Sequence, residues 1–193
     1  MDWPGDELMG CFLRNKYIFV SFLSSFLLLS LIFALRRVFP FGDNQIMIFD
    51  SMHQYYPFLQ ELHYKLTHGE SLLYTWRSGG GSNFFLIMAY YTMSPLYLFS
   101  VLFPREYLRE FMLLVTITKI ALASAFFSYY LKSVYHKHNF SLVVFGMAYA
   151  FCGFTMSYYW NIMWLDAVAL LPLVIAGMHR VIKNEGFLLY TIT

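Results

Sequence analysis

Long apolar runs constrain this chain more than any other feature of it. Residues 17–35, YIFVSFLSSFLLLSLIFAL, form a 19-residue stretch without a charge. A helix needs roughly 20 such residues to cross the hydrocarbon layer of a bilayer, where its backbone groups must bond internally. Runs at 84–103, 108–131, 140–160 and 162–182 repeat the pattern, and FLLYTIT at the end reads as the start of another. The expected fold class is all-α transmembrane, with about five spans plus the start of a sixth. The chain is expected to form one membrane domain over 1–193, the N-terminal part of a longer protein. Only 12% of residues are charged, against about a quarter in a soluble domain. A formal net charge of +2 argues for no nucleic-acid partner. A charged start before an apolar run is also the plan of a signal peptide. Here, however, the run is longer than a usual h-region, and Arg36-Arg37 stands where small cleavage-site residues belong.

Between the first two runs lies a loop, 36–83, that holds most of the chemistry: Asp43, Asp50, His53, Gln54, Glu61, His63, His68, Glu70, Trp76, Arg77 and the triplet Gly79, Gly80, Gly81. Within it, Tyr55, Phe58, Leu59, Leu62 and Leu66 recur at helical spacing. They predict an amphipathic surface helix from about Gln54 to Thr67, resting on the bilayer or on the protein's own helices. Gln60, Glu61 and Lys65 fall off that stripe, and His63 and His68 are expected to face solvent. Pro57 suits a first helical turn, which places Asp50 on the turn before the helix. A carboxylate between Phe49 and Tyr55 suits a general base or a metal ligand, although Asp also commonly serves as an N-cap. His53 and Gln54 suit the orientation of a hydroxyl or phosphate. In WRSGGGSN, three glycines allow close backbone approach and Arg77 adds a cation, while a flexible re-entry loop needs the same composition. No Walker or GxGxxG pattern accompanies it.

Inside the later runs, Lys119 lies near the middle of its span, and buried intramembrane charges are candidates for function. Asp166 lies in WNIMWLDAVALLP beside an aromatic cluster. Pro95 and Pro172 interrupt two spans. Cys11 and Cys152 form no metal motif, and a disulfide between them is not expected. Orientation is open at this level. Simple alternation from a cytoplasmic N-terminus puts four Lys and Arg inside and eight outside, against the usual bias of cytoplasmic loops towards Lys and Arg. Either the N-terminus is outside or one of the later segments is not a simple crossing.

FDSMHQYYPF, WRSGGGSN, SPLYLFSVLFP, AYAFCGF and NIMWLDAVALLPL, in that order, resemble the N-terminal part of the YfhO family of bacterial multi-pass membrane proteins. The resemblance implies a GT-C-like fold and a membrane glycosyltransferase. Its donor would be a polyprenyl-phosphate-linked sugar, and its acceptor an extracytoplasmic cell-envelope polymer such as lipoteichoic acid. It further implies a bacterial cell membrane location, a cytoplasmic N-terminus and an active site on the extracytoplasmic side. Asp50 matches the loop aspartate that would act as general base. His53, Gln54, Tyr55, Trp76, Arg77, Gly79, Gly80 and Gly81 would line the substrate site, with Asn161, Trp164 and Asp166 as a second cluster. No cofactor is firmly implied, although some relatives in the superfamily use a divalent metal. The competing expectation is a transporter or flippase of a lipid-linked or envelope precursor, with broken spans lining a path.

Overall fold

The computed structural model describes the backbone of residues 4–193 and the side chains from Arg14 onward; Cys11 lies outside the described side chains. The fold is helical, as the apolar runs predict. Helix α1 spans Pro4–Leu35, α2 Tyr56–His68, α3 Phe84–Tyr91, α4 Leu108–Tyr135, α5 Ser141–Ala150, α6 Gly153–Tyr158, α7 Trp164–Ile182 and α8 Leu188–Ile192. The only described strands, β1 at Tyr74–Thr75 and β2 at Ser82–Asn83, pair antiparallel. Among the described residues, four stretches are long and apolar enough to cross a membrane: Arg14–Leu35, Arg105–Tyr135, Ser141–Tyr158 and Trp164–Ile182.

The run at 84–103 is the exception. It forms α3 and a 3₁₀ helix, Pro95–Leu102, bent by 107° at the break between them, the form of a broken span or of a re-entrant loop. Each piece has eight residues. At 1.5–2.0 Å per residue, neither approaches the roughly 30 Å of a hydrocarbon layer. The break follows from the sequence: Ser94 adopts φ −58°, ψ 128° ahead of Pro95, the extended conformation that a following proline enforces.

Contacts divide the chain into two compact units. One comprises residues 1–30, 118–157 and 167–193, and the other 31–117 and 158–166. In the first unit, the α1 and α4 segments run antiparallel. Lys132 Nζ donates to Asn15 Oδ1 (2.7 Å) and to the Arg14 carbonyl (2.6 Å) at one end. Further along, the hydroxyls of Ser21 and Ser124 lie 2.7 Å apart, and Ser128 Oγ lies 2.8 Å from Ser21 Oγ. Gly146 of α5 completes this small-residue contact: a Cβ there would lie 2.3 Å from Ser128 Oγ, 2.5 Å from Ser21 Oγ and 2.6 Å from the Ser124 carbonyl. Small residues bring membrane helices close enough for such hydroxyls to bond across them. Phe127 stacks on Tyr149 at 4.5 Å, and Lys119 is fully buried. The short α8 packs on α7 at Gly177.

In the second unit, α2 packs on the protein's own elements through its buried residues. Leu59 and Leu62 are buried on one side, and Glu61, His63 and Lys65 are buried as well. One expectation is thereby corrected. His63 does not face solvent but bonds the Phe103 carbonyl through Nε2 (3.0 Å). Glu61 and Lys65, off the apolar stripe, are covered by the β1–β2 hairpin. His68 is exposed, as expected. The chain leaves α1 and enters α4 side by side, the Arg109 guanidinium lying 4.3 Å from the Phe39 ring centroid.

The serine–glycine contact is tight enough to test. Gly146→Val should lower stability by about 1–3 kcal/mol through overpacking, read as a lower melting temperature in detergent, while Gly153→Ala, with open space around it, should not.

Candidate functional site

The site grows from the start of α2. A π-helical turn, Ser51–Tyr55, precedes it, and the Tyr56 N–H bonds the Ser51 carbonyl five residues back. Proline at 57 would press on the His53 carbonyl in an α-helix. The wider π turn, frequent at functional sites, accommodates it, so the helix extends back to Ser51 rather than starting near Gln54. Asp50 thereby becomes the N-cap residue, yet its side chain makes no capping bond. Its carboxylate instead accepts from Gln54 Nε2 (3.2 Å), one turn along. The residue before it, Phe49, has φ 46°, a left-handed conformation that costs a non-glycine residue of order 1–3 kcal/mol and gathers at functional sites. The Phe49 ring packs against Trp160 at 5.5 Å, and Ser51 Oγ bonds the Trp160 carbonyl. These contacts hold the strained turn.

Around Asp50 the polar groups are paired and directed. Tyr55 hydroxyl donates to Asn161 Oδ1 (2.8 Å), both residues being buried. Burial first, and the nearby Asp50 charge second, push the Tyr55 phenol up to about 12. It remains a neutral donor throughout the physiological range. Asp166 accepts from Ser94 Oγ (2.9 Å) at the break of the bent pair.

A second feature opens beside this turn. A cavity of about 280 Å³ is lined by His53, Pro57, Phe58, Glu61, Thr75, Arg77, Ser78, Gly79 and Phe84. Its wall is a buried ionic cluster. Glu61 accepts from Thr75 Oγ1 (2.6 Å) and from Arg77 Nη1 (3.2 Å), and lies 3.7 Å from Lys65 Nζ. Lys65, 3% exposed, also donates to the Ser71 and Tyr74 carbonyls at 2.9 Å each and lies 3.6 Å from Glu70. Arg77 stacks over the Tyr64 ring at 3.7 Å. Hydrogen bonding to Tyr64 foremost, and the charge of Glu61 after it, raise its pKa, so it is a permanent cation at the cavity edge.

The candidate residues therefore fall into groups. Asp50, Gln54, Tyr55 and Asn161 gather at the π turn; His53, Arg77 and Gly79 line the cavity; Asp166 is tied to Ser94. Gly80 and Gly81 lie outside the cavity lining. The triplet's φ values of 60°, 77° and 122° show why glycine is needed: it bends the hairpin. The Gly81 N–H is already bonded to the Ser78 carbonyl (2.9 Å), and a Cβ at Gly81 would meet the Tyr74 hydroxyl. Trp76 is 77% exposed and edge-on to Tyr74. Trp164 is exposed and packs near Tyr158, and Asp43 is an exposed turn residue. Sequence reasoning missed Glu61 as part of the cavity wall and Lys65 as its buried partner. Their i, i+4 spacing reads as a solvent-facing pair, and nothing local shows that a hairpin covers it. Among the described residues, no three His, Cys, Asp or Glu side chains gather closely enough to hold a metal ion, so the divalent ion entertained above finds no ligand set there.

A family model described as "Bacterial membrane protein YfhO" matches residues 21–193. The chain belongs to the YfhO family. The match covers both the π turn and the cavity. No curated protein and no solved structure matches the chain.

The ionic wall predicts an asymmetry. Glu61→Ala should cost about 3 kcal/mol, at the low end for a broken buried pair because Glu70 and two carbonyls still hold Lys65. Arg77→Gln, half-exposed, should leave melting near that of the parent protein. Thermal melting, with limited proteolysis of the 76–82 loop, checks both.

Proposed function

We propose that this chain carries the donor site and general base of a GT-C-type membrane glycosyltransferase. That enzyme would move a sugar from a polyprenyl-phosphate donor to a hydroxyl of an extracytoplasmic cell-envelope acceptor such as lipoteichoic acid. The observation that carries this reading is the state of Asp50. It occupies an N-cap position without capping the helix, follows the left-handed Phe49, accepts from Gln54, and lies one helical turn from His53 in the cavity wall. A carboxylate free of structural duty, next to a cavity edged by a fixed cation, is what sugar transfer from a phosphate requires.

In the proposed step, the acceptor hydroxyl gives its proton to Asp50 as its oxygen bonds the anomeric carbon. The bond from that carbon to the phosphate oxygen breaks, and the polyprenyl phosphate leaves with the electron pair. Attack opposite the leaving group inverts the sugar carbon. Gln54 orients the Asp50 carboxylate, Arg77 offers charge to the leaving phosphate, and the Tyr55–Asn161 pair fixes the turn.

The antiparallel course of α1 and α4 supports the membrane arrangement that this requires. If both cross, residues 36–107 leave and return on the same side, and the bent pair is re-entrant rather than a crossing. One membrane face then carries Arg14, Lys16, Lys132, Lys137, Arg180 and Lys183, and the other Arg36, Arg37, Lys65, Arg77, Arg105 and Arg109. The four-to-eight imbalance becomes six on each face, so the charge count no longer opposes a cytoplasmic N-terminus with the Asp50 loop outside. The bent pair is also what a transporter or flippase would use to line a path, and the assay below separates the two.

Asp50→Asn in the full-length protein should lower transfer of labelled sugar from polyprenyl phosphate by about 10²-fold or more, with expression and melting unchanged. Full activity in that variant would remove the general-base mechanism. Separately, Tyr55→Phe should weaken transfer less than Asp50→Asn, since it removes one hydrogen bond from the turn and leaves the base in place.

A further inference from the structure

We infer that the first compact unit holds a separate site for the phosphate of an anionic phospholipid, built where α4 and α7 end. A cavity of about 220 Å³ lies there, lined by Ser133, His136, His179, Arg180, Lys183 and Glu185 among others. Its volume falls below the roughly 300 Å³ at which small-molecule pockets begin, which suits a headgroup rather than a whole lipid.

Three observations point to an anion. The lining brings two fixed cations and two imidazoles against a single carboxylate. His179 Nε2 is buried without a hydrogen-bond partner among the described residues. A polar atom left buried and unpaired costs about 1–3 kcal/mol, a cost that a phosphate oxygen accepting from it would remove. His136 is held at φ 52°, a conformation that a non-glycine residue adopts at a cost and that here places it in the cavity wall. Cations at helix C-termini also complement the helix dipole, but dipole complementation explains neither the unpaired nitrogen nor the strained histidine.

The surroundings identify the anion as a lipid's. On α7, Ile175, Met178, Val181 and Ile182 are exposed, Ile182 at 73%. Apolar side chains beside a cationic cavity at the end of a membrane-spanning helix would lie along the acyl chains while the phosphate enters between the helices. Basic pockets in such positions bind anionic headgroups. The site shares no residue with the Asp50 turn or the Arg77 cavity, so its fate is independent of the proposed reaction. Phosphate chemistry is common to an anionic lipid and to free phosphate, and the test separates these sources.

The full chain, purified in a neutral maltoside detergent, is titrated with phosphatidylglycerol, with phosphatidylcholine and with inorganic phosphate while its melting temperature is followed. Phosphatidylglycerol should raise it saturably and phosphatidylcholine should not. Arg180→Gln with Lys183→Gln should raise the half-saturating lipid concentration about tenfold or more. Lys137→Gln, next to the cavity but outside its lining, should leave it unchanged. Arg180→Lys, which keeps the charge, guards against a folding defect and should bind within about threefold of the parent. An equal response to phosphatidylcholine, or unaltered lipid binding in the double variant, would overturn the site. An equal shift from inorganic phosphate alone would overturn the lipid assignment.

Discussion

The Glu61 carboxylate is the interaction on which the second unit depends. It is one-tenth exposed at the side chain and meets a threonine hydroxyl, an arginine and a lysine. A lone carboxylate in such surroundings would be too costly to keep charged, and the three partners come from α2 and the hairpin. The pairing therefore docks a two-residue-per-strand hairpin, too short to stand alone in water, onto a helix. The hairpin brings Arg77 and Gly79 to the cavity edge and closes one wall. Lys65 ties the connection between helix and hairpin down by bonding the Ser71 and Tyr74 carbonyls. Structural ion pairing and the candidate site are one arrangement here.

Asp50 depends on a different device. The π turn, the left-handed Phe49 and the Ser51–Trp160 contact together present a carboxylate that the helix does not use. Each feature opposes local preference, and each is held by packing against the 158–166 segment within the same unit. Strain supported by packing is more informative than strain alone, because it has been retained at a cost. Tyr55, bonded to Asn161 and kept neutral by burial and by Asp50, forms the stiff side of the turn.

Much of this was legible from residue order. The membrane class, four of the long apolar helices and the helix after Pro57 follow from apolar run length and helical spacing. The charge imbalance across the expected spans left open an outside N-terminus or a segment that is not a simple crossing, and the bent pair at 84–102 has the form that the second explanation needs. Less legible were the buried faces of α2. Glu61, His63 and Lys65 look like solvent-facing residues because local periodicity records the width of one apolar stripe, not what covers the opposite face. The glycine triplet pointed to a phosphate cradle, yet only Gly79 borders the cavity, because the other two serve the hairpin's backbone geometry.

By itself the sequence determined that this chain belongs in a membrane, since uncharged runs near 20 residues long have no equally good place in water. It determined as well that ionisable groups concentrate between the first two runs. Tertiary structure alone decided how far the 84–102 pieces turn at the break that Pro95 sets, that a hairpin and helix share a buried charge cluster, and that Asp50 is left without a capping bond. Those outcomes depend on contacts between residues tens of positions apart, such as Ser94 with Asp166 and Tyr55 with Asn161. Hydrophobic periodicity is a property of neighbours along the chain and carries no record of them.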